Sequence, residues 1–160
     1  MSMRNPAAQK PVTAGQVLRP RLQRLVDYWQ AARHGRRLPG RADIDPLQMP
    51  WILGDLSLAE VHRQAGGGFR FRFRLVGSRV AERLSADFTG KWLDELPSPD
   101  YGRHVAAAFG EVIAARSPFI EHLDMVIDGR LRDYDVLRLP LAADGETVDM
   151  VMTAVDFGDS

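Results

Sequence analysis

The sequence predicts an α+β domain: a five-stranded antiparallel sheet with helices on one face, preceded by an amphipathic helix. Three observations carry this. Apolar residues recur at spacings of four and three between residues 17 and 37, which is the helical period. Over residues 69–76 they alternate with arginine, the period of a half-buried strand. Turn-forming residues then divide 119–157 into three strand-length runs.

Composition narrows the classes. A chain of 160 residues has room for one domain with one core, and a hydrophobic share of 45% beside a charged share of 26% argues against wholesale disorder. No run approaches the roughly eighteen apolar residues of a membrane span, and MSMRNPAAQKPVTAGQ lacks the apolar stretch of a signal peptide, so a cytoplasmic protein without a membrane partner is expected. Cysteine is absent, which excludes disulfides, thiolate metal sites and cysteine nucleophiles. Net charge is zero, yet Arg and Lys outnumber Asp and Glu nine to three over residues 1–50 and are outnumbered twelve to eighteen over 51–160. Such a basic arm lies against the acidic remainder of its own chain or of a second copy, or it seeks nucleic acid through Arg19, Arg21, Arg24, Arg33, Arg36 and Arg37. No nucleic-acid motif accompanies the charge, so the first reading is preferred.

Residues 1–16 are polar, small and proline-bearing, and read as a disordered tail. Residues 17–54 read as helix and connector. Leu18, Leu22, Leu25, Val26 and Trp29 make the apolar stripe of a helix over Val17–Arg37, with Gly35 and Pro39 as stop signals. Left in water, that stripe is an association site, and these five residues are the candidate homodimer interface. Folding back over the chain's own sheet is the competing arrangement. Asp45, Pro46 and Gln48 predict a short capped turn.

Residues 55–157 hold the sheet. Asp55–Arg63 and Phe69–Val76 are strands joined by Gly66–Gly68, with Phe69, Phe71, Phe73 and Leu75 on one face and Arg70, Arg72 and Arg74 on the other. Ser78 can cap a short helix running to Leu84. Ser98, Pro99 and Asp100 supply a capping hydroxyl, a proline at the first position and an acid in the first turn of a helix ending near Arg116. Strands Phe119–Ile127, Leu131–Leu141 and Thr147–Phe157 follow, joined by a tight turn at Asp128-Gly129 and a second at 143–146.

A hairpin, a helical middle and a three-stranded meander is the order of a PAS domain. Within it, LVDYW (25–29), RADIDP (41–46), FRFRLVG (71–77), FTG (88–90) and VDM (148–150) resemble a family of small proteobacterial proteins that consist of little more than one PAS domain. The resemblance covers about residues 20–157. It implies a PAS fold and a sensing or protein-interaction role, often in a homodimer, with no catalytic residue to carry over. Flavin-adduct and coumarate-thioester photochemistry, known in other PAS domains, needs a cysteine and is excluded.

Candidate chemistry is sparse. His104 lies in the long helix roughly where haem-binding PAS domains carry their axial histidine, but no further haem signature surrounds it. No cofactor is predicted, and haem through His104 is kept as an alternative. His34, His62 and His122 lack any spacing that puts two imidazoles on one metal, so no metal is expected. Asp133 and Asp135 share a strand face and would meet Arg70, Arg72 or Arg74 if those strands shared a face. No nucleophile, base and orienter come together, so an enzyme is not expected; proton transfer on a small hydrophobic substrate is the alternative. The apolar pocket expected between sheet and helices supplies the ligand-binding candidates: Phe73, Phe109 and Met150 for its wall, and Trp92, Tyr134 and Arg138 for a polar contact. Arg138, a charge in a leucine-rich strand, is either solvent-facing or a carboxylate anchor. The expected function is a PAS-type sensory or adaptor domain that binds a small organic ligand or a signalling protein and acts through protein–protein interaction.

Overall fold

The computed structural model describes residues 2–4, 8–127 and 129–158. In chain order its elements are β1 (Ser2–Arg4), β2 (Lys10–Pro11), α1 (Pro20–Ala32), β3 (Leu56–Arg63), β4 (Phe69–Val76), α2 (Ser78–Leu84), α3 (Pro99–Ala115), β5 (Phe119–Ile127), β6 (Arg130–Leu141) and β7 (Met150–Asp156). Short 3-10 turns at Arg41–Asp43, Pro46–Gln48, Leu53–Asp55 and Leu93–Glu95 connect them. The local signals act as their chemistry dictates. Ser98 accepts from the Tyr101 N–H at the start of α3, and Asp45 accepts from the Leu47 N–H in the connector. Gly77, not Ser78, is the N-cap of α2. Gly129 has a φ of +74°, as a tight turn requires, while Asp128 lies outside the described residues.

The five expected strands pair in the order β5-β6-β7-β3-β4, every neighbour antiparallel. Two short strands extend the sheet. β1 pairs with Asp124–Val126 and β2 with Phe119–Ile120, both on the outer edge of β5. The disordered tail expected over residues 1–16 is therefore corrected: Met1 and residues 5–7 lie outside the described residues, and the rest of the segment reaches the sheet through backbone pairing and the buried side chain of Gln9. Backbone pairing is indifferent to hydrophobicity, so composition does not reveal it. At the opposite edge, residues 90–91 cover β4: the Phe73 N–H donates to Lys91 O at 2.9 Å and the Gly90 N–H to Phe73 O at 2.7 Å.

Alternation along β6 separates the layers. Tyr134, Val136 and Arg138 face α2 and α3, whereas Asp135, Leu137, Leu139 and Leu141 face the other way, beneath α1. Leu22, Leu25, Val26 and Trp29 are buried in one core with Leu137, Leu139, Met152 and Ala154, Leu18 packs partly buried against it, and the Trp29 indole N–H donates to Pro140 O at 2.9 Å. The dimer interface expected at these five residues is thus corrected, because β6 and β7 present a second apolar face that their own chain covers. Pro20 at the first turn and the positive φ of His34 and Gly35 trim the helix to Pro20–Ala32. No helix among the described residues is long and apolar enough to cross a membrane.

The basic arm folds onto the acidic remainder. Arg19 donates to Asp135 at 2.9 Å and Asp133 at 3.1 Å and lies 3.6 Å from Asp156. Asp55, buried ahead of β3, accepts from Arg21 of α1 and takes two bonds from Arg79 of α2, Nε–H to Oδ1 at 3.0 Å and Nη2–H to Oδ2 at 2.7 Å. Arg36 pairs with Asp43 at 2.7 Å, and Arg24 stacks 4.3 Å from the Trp51 ring. Arg19 therefore takes the place expected for the β4 arginines beside Asp133 and Asp135. The arginines of β4, at the far edge of the sheet, meet Asp94 (Arg70, 2.7 Å) and Glu60 (Arg74, 3.5 Å) instead.

With the α1 stripe inside one chain, Leu22→Asp combined with Leu25→Asp buries two unpaired carboxylates, each costing several kcal/mol against a total stability of about 5–15 kcal/mol. The double variant is expected to lose its cooperative urea transition followed by circular dichroism. A folded monomer would show that the stripe is dispensable to the chain.

Candidate functional site

The concave side of the sheet and helices α2 and α3 enclose a cavity of about 70 Å³. Its walls are apolar: Phe73 from β4, Val80 from α2, Val105 and Phe109 from α3, Leu123 from β5 and Val155 from β7. Phe71 meets Phe109 edge-on at 5.0 Å and stiffens that wall.

A polar row crosses this lining. Ser57, Thr153 and Arg138 are register partners on β3, β7 and β6, and all three line the cavity. Arg138 is almost wholly buried, 3% exposed, and its Nη1 donates to Glu121 Oε1 at 2.8 Å and to Gln9 Oε1 at 3.0 Å. His104 Nε2 stands 2.8 Å from the other Glu121 oxygen but off the hydrogen-bonding direction. Arg138 Nε and Thr153 Oγ1 are buried and find no hydrogen-bond partner among the described residues. Burial holds the Tyr101 phenol above its ordinary value, with the Arg138 charge opposing and the Glu121 charge adding, so Tyr101 stays neutral in the lining.

An antiparallel sheet of this strand order, closed on one side by helices around a small apolar cavity, agrees with the comparison to known families. The family model described as PAS domain matches residues 17–155. The chain belongs to the PAS domain family. A sensory or signalling role, in general terms, comes with that membership. No curated protein matches the chain.

Of the six ligand-binding candidates, this PAS domain brings Phe73, Phe109, Tyr134 and Arg138 to the cavity. Trp92 and Met150 are corrected. Trp92 packs outside β4, bridged to Arg72, with the Arg70 guanidinium 4.2 Å from its ring and His62 at 4.9 Å. Met150 begins β7 in the phase of Met152, opposite Thr153 and Val155, and borders a surface groove beside Glu60 and Leu58. Arg138 does anchor a carboxylate, but the carboxylate is the chain's own Glu121. Glu121 and Gln9 escape sequence reasoning, although Glu121 between Phe119 and Leu123 on the apolar phase of its strand is a legible sign of a buried acid.

On the opposite, solvent-facing side of β5 and β6, His122, Asp124 and Asp133 offer ligating atoms within 4.8 Å of one another. Arg19 already donates to the same Asp133 oxygen that lies 3.3 Å from His122 Nε2, so the cluster holds its own cation. His122 Nδ1 is 2.7 Å from Asp135, and that hydrogen bond first, with the charges of Asp133, Asp135 and Asp124 adding, raises the imidazole pKa above 6.5 against modest desolvation.

Two outcomes follow from this geometry. Glu121→Ala leaves a buried guanidinium unpaired and is expected to cost about 3–5 kcal/mol in denaturant unfolding, whereas Glu121→Leu with Arg138→Met removes both charges and is expected to recover most of that loss. Equal losses would show that the pair is solvated. For His122, an NMR titration should give a midpoint above 6.5 that falls in Asp135→Asn. Its folded-state pKa is raised, so its contribution to stability is complete below about 6.5 and fades as pH rises through the folded value; a midpoint at or below 6.5 would contradict the contact.

Proposed function

We propose that this PAS domain is a cytoplasmic sensor whose cavity holds a small organic molecule, and that occupancy is passed on through protein–protein contact. The observation that carries the reading is the pair of buried, unpartnered atoms on the cavity wall, Arg138 Nε and Thr153 Oγ1. A buried donor left unsatisfied costs about 1–3 kcal/mol, and a ligand oxygen between these neighbouring strands removes that cost. Glu121 already balances the Arg138 charge, so the ligand needs an acceptor oxygen and no charge of its own: a ketone, aldehyde or alcohol with an apolar body against Phe73, Val105 and Phe109.

Size supports the same class. A cavity of about 70 Å³ is far below the ~300–1,000 Å³ of pockets for drug-sized ligands, which favours a molecule of few heavy atoms. Haem through His104 does not suit these residues, because the porphyrin has no room and the imidazole Nε2 faces Glu121. The protein is therefore expected to be colourless. A homodimer would have to use a face other than the α1 stripe, and the paired state of Arg19, Arg21 and Arg36 argues against nucleic acid.

The test is an NMR titration with small cyclic ketones, the matching alcohols and the matching carboxylic acids, beside an absorption spectrum of the purified protein. Ketones or alcohols are expected to shift the amides of Val105 and Thr153, and the shifts should vanish in Thr153→Val with Arg138→Met and Glu121→Leu. No response to any probe, stronger binding of the acids, or a Soret or flavin band retained through purification would overturn the reading.

A further inference from the structure

Residues 8–12 are held to the sheet by few contacts. β2 is two residues long, the side chains of Lys10 and Pro11 are exposed, and Pro11 has no N–H to donate. The Val12 N–H donates to Pro118 O at 2.9 Å, and the Val12 side chain is half-buried. Gln9 is different. Its side-chain amide is buried between α3 and the sheet, donating from Nε2 to Ala108 O at 2.7 Å and to Glu111 Oε1 at 3.3 Å while accepting from Arg138 Nη1 at 3.0 Å.

The chemistry suits a glutamine. Its amide gives a donor to a helix carbonyl and an acceptor to a guanidinium; a glutamate would bring a further carboxylate beside Glu121 and Glu111, and a leucine would satisfy neither layer. Arg138 Nη1 carries two hydrogens, and both are committed, one to Glu121 and one to Gln9. Its Nε, on the same rigid plane, has no partner among the described residues.

We propose that Gln9 is a latch that ties residues 8–12 to the Arg138 guanidinium, so that movement of this group in the cavity frees the N-terminal segment. As regulation of the cavity, the latch rests on the ligand reading given above. A ligand oxygen drawn onto Nε shifts the guanidinium plane, and Nη1 then keeps its charged acceptor Glu121 in preference to the neutral Gln9. Residues 8–12 lose the charge-assisted part of their buried anchor and keep only the bonds from Gln9 to α3, which loosens β2 on the outer edge of β5.

Amide hydrogen exchange on the full chain, without ligand, tests the latch. Gln9→Met keeps the volume and removes all three side-chain hydrogen bonds, and Arg138→Met with Glu121→Leu removes the guanidinium partner without leaving a buried charge. Removing the Arg138 partner is expected to speed exchange of the Val12 amide by about tenfold, the loss of one charge-assisted bond, and Gln9→Met by at least as much, since it also removes the bonds to Ala108 and Glu111. The two sets combined should go no faster than Gln9→Met alone, and the Met152 and Ala154 amides of β7 should keep their protection. Unchanged Val12 exchange in Gln9→Met, additive acceleration in the combined variant, or equal acceleration in β7 would overturn the latch. No probe is present, so failure here leaves the cavity reading standing, and failure of the ketone titration leaves the latch standing.

Discussion

A single buried carboxylate fixes the relation between the layers of this domain. Asp55 precedes β3 and is met by Arg21 from the helix on one face of the sheet and by Arg79 from the helix on the other. The carboxylate is out of water and the two guanidinium groups together satisfy it, so α1 and α2 are tied to each other through one residue. The constraint spreads by register. Leu56 next to Asp55 pairs with Ala154, Ser57 with Thr153, and Thr153 with Arg138, which brings the polar row of the cavity into line.

The uneven charge of the chain has its physical meaning at this end of the sheet. Arg19 and Arg21 precede and open α1, and between them they reach Asp55, Asp133, Asp135 and Asp156, residues far apart in sequence. The two halves of opposite sign neutralise each other across the α1 contact. Much of this pairing is half-exposed and worth little bond by bond; its effect is to orient a helix whose apolar stripe supplies the adhesion.

Legibility in the sequence follows the range of the interaction. β4 was readable from Phe69 to Phe73 because alternation of phenylalanine and arginine fixes both period and faces, but a bulge after Phe73 breaks the alternation: Leu75, expected on the phenylalanine face, turns to the other side beside Leu58 and Met152, and Val76 reaches the cavity instead. The start of α3 was readable because a capping hydroxyl and a proline act within one turn. The cavity was half readable: alternation along β6 put Tyr134 and Arg138 in one phase, but no local rule says which phase of β7 faces the helices, and Met150 fell on the wrong side. Gln9 and Glu121 meet Arg138 from sequence positions 129 and 17 residues away, and no periodicity encodes a meeting of that kind. The α1 stripe shows the same limit, since an apolar face declares that it will be covered without declaring by what.

The two outer strands of the sheet are both covered by short lengths of the chain itself, β5 by β1 and β2 and β4 by residues 90–91. An uncovered edge is a template on which another extended chain can hydrogen-bond, and these additions interrupt it: residues 90–91 occupy the middle of β4 at Phe73, and the strands laid on β5 are only three and two residues long. Crowded copies of the protein accordingly meet broken edges in place of a long continuous template, and a visiting peptide joining the sheet as a further strand finds only short stretches to pair with. Short edges of this kind shift recognition from backbone pairing towards side-chain surfaces, where shape and charge can be selective.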